Sequence, residues 1–161
     1  MGNVRLPYPM QIGSGTWDIL AGLTYLGSKE RWFWGAEAQG LIRLGENSND
    51  YRLGNRIGGT TWLSQNWNDW LISTVQFRAQ YWGNIHGADP QLNPRMVPTA
   101  DPNRRAGIQA TFRFLQSLYC PKGALKGHRL TGFIELPIYQ NLDGPQLEMD
   151  WTTGLQWKWT F

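Results

Sequence analysis

The sequence lacks the features that mark several common protein classes. One cysteine, Cys120, cannot form an internal disulfide. No apolar run approaches the roughly 20 residues that a membrane-spanning helix needs. The two histidines, His86 and His128, have no cysteine or second histidine at ligand spacing, so we expect no metal site. Basic residues are spread singly and the net charge is only +3, which argues against a nucleic-acid partner. GSG at 13–15 precedes a strand pattern and is no phosphate loop, and no cofactor is expected.

The composition instead favours β-strands. Charged residues make up 17% of the chain, against about 25% in ordinary soluble domains. Aromatic residues reach 14%, and ten of them are tryptophans. The mean hydropathy of −0.46 would argue against a helical membrane protein. It is compatible with a membrane β-barrel, because only alternate residues of each strand meet lipid.

The clearest strand pattern lies at the end of the chain, in residues 146–161 (QLEMDWTTGLQWKWTF). Apolar and aromatic side chains occupy most odd positions, and polar or charged ones occupy most even positions. This two-residue period indicates a strand, since a helix would repeat every three to four residues. Sixteen residues exceed the usual strand length of about 5–6, and the aromatics crowd at one end, as expected for a membrane strand.

Six earlier segments show the same period, more weakly where glycines dilute it: 11–27, 32–44, 51–64, 70–82, 105–119 and 127–140. In the last of these, Glu135 and Tyr139 are expected on the polar side. Pro137 cannot donate a backbone hydrogen bond, so it predicts a bulge or a locally unpaired position. None of the segments between them has a helical period. The sequence therefore predicts one all-β domain over 1–161 with about seven or eight antiparallel strands.

The connections between the strands alternate in length. Residues 28–31 and 66–69 are tight turns, whereas 83–104 form a long loop with four prolines. Outer-membrane barrels have short periplasmic turns, longer external loops and an even strand count. If Phe161 lies on the periplasmic side, the long loop is external, but the first strand then starts outside. This parity predicts a missed strand in 1–10 or further strands upstream. Residues 1–30 show no signal peptide, so numbering is expected to begin after processing or within a longer protein.

Several stretches carry a family resemblance. They are PYPMQIGSGTWDILAGLTY (7–25), YRLGNRIGGTTWLSQNWNDWL (51–71), WGNIHGADPQLNPRMVPTADP (82–102), YCPKGALKGHRL (119–130) and LPIYQNLDGPQLEMDW (136–151). Together they resemble the outer-membrane putative transporter family of the phenol-degradation MetA-pathway type, in its C-terminal barrel portion. The resemblance implies an up-and-down transmembrane barrel and transport of a poorly defined solute. It transfers no functional residues.

The sequence thus predicts an outer-membrane barrel that passes small solutes through a polar, mixed-charge lumen. The arginines would attract anionic or hydrogen-bonding solutes, and the carboxylates would hold them in place. A small barrel could instead be plugged by its own paired charges. The residues expected on the lumen wall are Glu37, Arg52, Arg56, Arg78, Arg113, Arg129, Glu135 and Glu148.

The tryptophans are expected mainly at the membrane interface, where amphipathic rings sit well. The predicted belt lies at the periplasmic strand ends and comprises Trp32, Trp34, Trp67, Trp70, Trp157 and Trp159. Trp62 and Trp82 fall on the polar side or at a strand end, so they are better candidates for contacting a ligand.

Other interpretations stay open. The chain could be a structural or interaction barrel with a sealed lumen and a working external loop. It could be a lipid-modifying enzyme, with Ser64 or Ser117 near His128, although nothing enforces that geometry. Asp89 and Asp101 in the long loop could bind a cation, but proline-stiffened loops are more often structural. Expected partners are outer-membrane lipid, small solutes, and the barrel-assembly machinery reading the strand that ends at Phe161. A fragment could also self-associate through open edges.

Overall fold

The computed structural model describes residues 5–160 and consists of strands, loops and three short 3-10 turns. Seven long strands form one sheet and two short ones form another. The strands are β1 (Trp17–Lys29), β2 (Trp32–Leu44), β3 (Tyr51–Arg52), β4 (Arg56–Asn66), β5 (Leu71–Trp82), β6 (His86–Gly87), β7 (Gly107–Tyr119), β8 (His128–Leu142) and β9 (Thr152–Trp159). Within the described range, no helix is long and apolar enough to cross a membrane.

The large sheet is an antiparallel meander with strand order β1-β2-β4-β5-β7-β8-β9. Each long strand therefore pairs with the next long one along the chain, which confirms the predicted all-β, up-and-down architecture. The predicted closure is not formed by these strands, because β1 and β9 are edges that do not pair with each other. Residues 5–10 supply no further strand, since Tyr8–Met10 is a 3-10 turn. Residues 1–4 and Phe161 lie outside the described residues, so the role assigned to Phe161 stays a prediction.

The two ends of the sheet differ. At one end, here called the turn end, the connections are Glu30–Arg31, Trp67–Trp70 and Cys120–Gly127. Glu30 takes a left-handed conformation with φ 54°, which lets two residues reverse the chain. The opposite end, here called the loop end, carries the connections at 45–55, 83–106 and 143–151. The alternation of short and long connections predicted from the sequence is confirmed.

The strand register separates two faces. The apolar face carries the odd residues of β1, β4, β5 and β9, and the even residues of β2, β7 and β8 as far as Leu136. The polar face carries the alternate positions. Leu23 on the apolar face is 78% exposed, whereas Arg43 and Glu135 on the polar face are each 7% exposed. Burial is therefore inverted relative to a soluble protein.

No second layer covers the middle of either face among residues 5–160. The residues buried on the polar face are therefore shielded by their neighbours on that face; they are Arg43, Thr60, Thr111, Thr131 and Glu135. This requires the sheet to curve toward its polar face. The edge strand β1 has few neighbours to shield it, and Leu20 and Leu26 on its polar face are exposed along with its apolar face.

Large rings lie over glycines on neighbouring strands. An added Cβ at Gly35 would lie 2.2 Å from Trp62 Cζ2, and one at Gly107 would lie 2.5 Å from Trp82 Cζ2. Both pairs face the polar side, so the side chain of Trp62 crosses β2 and that of Trp82 crosses β7. Gly35 and Gly107 thus make room for rings within regular strands.

The last strand is shorter than predicted. It spans Thr152–Trp159, so Glu148 lies in the preceding loop and not on a strand. The side chain of Gln140 donates to the Met149 carbonyl oxygen at 2.8 Å and accepts from the Met149 backbone N–H at 3.0 Å. It thereby makes the hydrogen bonds that a paired backbone would make. In a continued register, Pro137 would stand opposite Asp150, and proline has no N–H to donate.

A bulge follows Pro137, as predicted. Thr111 pairs with Pro137 and Ala110 pairs with Tyr139, so Ile138 is the extra residue. The extra residue moves Tyr139 to the apolar face, opposite Ala110. The prediction that Tyr139 shares the face of Glu135 is therefore wrong, because a bulge inverts the alternation beyond it.

Candidate functional site

The middle of the polar face contains a charged pair. Arg113 on β7 and Glu135 on β8 stand directly opposite each other. Arg113 Nε donates to Glu135 Oε2 at 2.8 Å, and Arg113 Nη2 also contacts that oxygen. Thr111 Oγ1 donates to Glu135 Oε1 at 2.7 Å. The carboxylate is thus held by a guanidinium and a hydroxyl. That such carboxylates position arginines for a solute stays a prediction.

Arg78, Glu37 and Arg129 also lie on the polar face, as predicted. Arg78 pairs in register with Thr60 and Thr111, and it lies close enough to Glu135 to stabilise its charge. Glu37 stands opposite Thr60 and makes no ion pair with any residue in 5–160. Arg129 lies at the turn end, with its guanidinium carbon 5.7 Å from the Tyr119 ring centre.

Two predicted wall residues lie elsewhere. Arg52 belongs to β3, which pairs with His86–Gly87 in the small sheet above the loop end. Glu148 is exposed in the loop before β9. The alternating pattern continues through both positions, because alternation does not show where the backbone changes its pairing partner.

A hydrogen-bonded series of glutamines crosses the polar face toward the loop end. Gln80 Nε2 donates to Gln109 Oε1 at 3.2 Å, and Gln109 Nε2 donates to Gln140 Oε1 at 3.0 Å. Gln140 in turn holds Met149. Sequence analysis did not single out these residues. The three glutamines lie at the same distance from the loop-end termini of their strands. This shared position is visible only once the strand bounds and the register are known.

The loop end is covered by packed segments. Tyr8, Tyr51 and Ile85 form a small buried cluster, with the two tyrosine rings 4.8 Å apart. Arg5 Nε lies 2.7 Å from Asp89 Oδ2, and the Asp89 side chain is fully buried. That N–H is not aligned as a hydrogen bond, so the contact is an ion pair. Burial raises the pKa of Tyr8, whose hydroxyl accepts from the Asp89 backbone N–H.

Beneath these segments lies a polar cavity of about 540 Å³. Arg43, Arg56 and Arg105 line it, together with Asp18 as its one carboxylate and Trp82 as part of its wall. The cavity therefore sits where the polar face meets the loops. Of the eight predicted wall residues only Arg56 lines it. Arg105 was missed because it lies between a loop and a strand, where the alternation gives no face.

The exposed aromatic residues form two belts. Five of the six predicted tryptophans are exposed at the turn end, and Trp34 is half-buried over Gly27. His128 stacks on Trp157 and Trp159 with ring centres 5.5 and 5.6 Å away, which adds it to this belt. A second belt, not predicted, lies at the loop end and comprises Trp17, Tyr81, Tyr139 and Trp151.

The residues of the two alternative sites are not brought together. Ser117 Oγ hydrogen-bonds with Thr131 on the polar face, whereas His128 lies on the apolar face and accepts from Trp157 Nε1. Ser64 hydrogen-bonds with Thr74. Neither serine contacts His128.

Asp89 is committed to Arg5, and Asp101 Oδ1 accepts from the Asn103 backbone N–H. Residues 5–160 contain no group of three or more potential metal ligands. The long loop is thus held by its own side chains.

The chain matches no known protein-family model, and no curated protein and no solved structure matches it. The resemblance to an outer-membrane transporter family therefore stays a prediction, and function must be argued from the geometry.

Proposed function

We propose that this chain forms wall strands of an outer-membrane β-barrel that passes small polar solutes through its lumen. The observation that carries the proposal is the inverted burial of the sheet. Several polar side chains are buried on one face, and large apolar side chains stand exposed on the other. The buried ones are Arg43, Thr60, Thr111, Thr131 and Glu135. In water this arrangement would expose a large apolar surface to solvent, which is unfavourable. In a bilayer the same surface would meet lipid.

The aromatic belts support the membrane assignment. Trp17 marks the loop-end belt on β1. At the other end of β1, Lys29 pairs with Trp32 of β2, which belongs to the turn-end belt. The 13 residues from Trp17 to Lys29 are separated by steps of about 3.4 Å, so they span roughly 40 Å along the strand. At a strand tilt of about 40°, the belts would stand roughly 30 Å apart, close to the thickness of a bilayer core.

Closure requires more strands than these seven. Because the large sheet has seven antiparallel strands, its edge strands β1 and β9 run in the same direction. Direct pairing between β1 and β9 would therefore be parallel. An odd number of additional antiparallel strands lets every pair be antiparallel, as in bacterial barrels. We therefore place these strands in a larger barrel, wide enough for a water-filled lumen.

Conductance across planar bilayers tests the proposal with the full gene product. We expect discrete channel steps, because the polar face would line a continuous aqueous path. Glu37→Gln should shift the reversal potential in a KCl gradient toward anion selectivity, since Glu37 has no ion-pair partner in residues 5–160. Glu30→Gln, at the two-residue turn, is the matched control and should leave selectivity unchanged.

A sealed barrel is the second candidate. It is favoured by the packing of Tyr8, Tyr51 and the Arg5–Asp89 ion pair over the loop end. Absence of channel steps at high protein density, with the protein shown to be inserted, would reject the pore and leave this alternative.

A further inference from the structure

The cavity at the loop end combines an excess of positive charge with a volume that suits a small molecule. Its charged lining consists of Arg43, Arg56, Arg105 and Asp18, so two positive charges remain after the one carboxylate is counted. Its volume of about 540 Å³ lies in the range of small-molecule sites.

The three arginines differ in how far they are already engaged. Arg43 Nη1 lies 2.7 Å from Asp18 Oδ2, and Arg43 Nε donates to the Gly54 carbonyl oxygen at 3.4 Å. Asp18 is itself held, since Thr16 Oγ1 donates to it at 2.7 Å and Ser14 Oγ at 3.1 Å. Arg43 is therefore a fixed part of the wall, with Asp18 as its counter-ion.

Arg56 and Arg105 have no carboxylate partner in residues 5–160. Arg105 Nη1 donates to the Pro145 carbonyl oxygen at 3.1 Å, which fixes its position but does not neutralise it. Arg56 makes no hydrogen bond to any described side chain or carbonyl. Its guanidinium is partly shielded from water, and the nearby charge of Arg43 repels it. Burial also lowers the pKa of Arg105, although a guanidinium stays charged at neutral pH. A bound anion would relieve this repulsion.

We propose that this cavity binds the oxyanion of a small solute, a carboxylate or a phosphate, through Arg56 and Arg105. Guanidinium groups match such anions because their parallel N–H bonds meet two oxygens at once. Trp82, whose ring is held over Gly107, supplies a rigid wall for the uncharged part of the solute. The inference deepens the proposed function, on which it rests, by making this cavity the recognition point at the mouth of the lumen.

Calorimetric titration of the full gene product in nanodiscs tests the site without requiring conduction. The probes are succinate, inorganic phosphate and succinamide, the neutral counterpart of succinate. We expect at least one of the two anions to bind and succinamide not to bind. Arg56→Gln should weaken that anion's binding about tenfold or more, because a hydrogen bond to a charged group is lost. Arg56→Lys should recover part of the loss.

Arg95→Gln is the matched control, since Arg95 is an exposed arginine of the long loop and does not line the cavity. It should bind the anion like the parent. Heat-modified electrophoretic mobility shows whether each variant is folded. If Arg56→Gln does not fold, Arg105→Gln provides the second test.

The results separate the two proposals. No binding of either anion, equal binding of succinamide, or unchanged affinity in both folded arginine variants would overturn the anion site even if the channel conducts. Anion binding that depends on Arg56, together with silent bilayers, would support the site and contradict the pore.

Discussion

At the scale of single residues, the most informative pair is Arg113 with Glu135. The carboxylate is 7% exposed and receives the guanidinium and the Thr111 hydroxyl, so each partner offsets the other's desolvation. The sequence predicted both residues as wall residues, because each stands at a polar position of an alternating strand. It could not predict their pairing, which depends on the register between β7 and β8.

Removal of one partner should cost more than removal of both. Arg113→Met leaves Glu135 buried and unpaired, so we expect the free energy of unfolding to fall by about 3–5 kcal/mol. Arg113→Met combined with Glu135→Leu should lose much less. Urea unfolding of the protein in lipid vesicles measures both. A double variant as unstable as the sum of the single ones would contradict a coupled pair.

The glycine beneath Trp62 gives a second prediction at this scale. Gly35→Ala would place a methyl group 2.2 Å from the ring, so Trp62 must move, at a cost of about 1–3 kcal/mol. Gly40 on the same strand has nothing within 4 Å of its added Cβ. Gly40→Ala is the matched control and should leave the urea midpoint nearly unchanged. Equal effects of the two substitutions would show that the ring does not rest on Gly35.

At the scale of elements, alternation located the paired middle of each long strand and misplaced the ends. The interval 32–44 matches β2, and 70–82 differs from β5 by one residue. The predicted strand at 146–161 shortens to Thr152–Trp159, and 51–64 divides between β3 and β4. Alternation reports which side chains share a face of the sheet. It cannot report whether a backbone partner is a strand, a loop or the side chain of Gln140.

The role of Gln140 can be tested by hydrogen exchange. Gln140→Ala removes two hydrogen bonds to Met149, so backbone exchange in 143–151 should accelerate about tenfold or more. Exchange in β9 should stay slow, because its ladder with β8 is unaffected. Gln91→Ala in the exposed part of the long loop is the control. Equal acceleration of 143–151 and β9 would mean that Gln140 supports the whole strand and not only the loop.

At the scale of the molecule, composition and alternation were enough for an antiparallel all-β sheet with a polar and an apolar face. They were not enough for the loop-end cavity. Arg43, Arg56 and Arg105 come from two strands and a loop, and only the packing of the loop segments brings them together. The open edges of β1 and β9 likewise emerge only from the strand pairing. The odd strand count had predicted a missed strand in 1–10 or further strands upstream.

The central claim is that the apolar face meets lipid and the polar face meets water. Nitroxide labels placed one at a time on residues 74–79 of β5, in a Cys120→Ser background, test it most directly in reconstituted vesicles. Collision with oxygen, which concentrates in lipid, should peak at the odd positions. Collision with a water-soluble nickel chelate should peak at the even positions. Equal access of the chelate to both sets, or the opposite phase, would contradict the account.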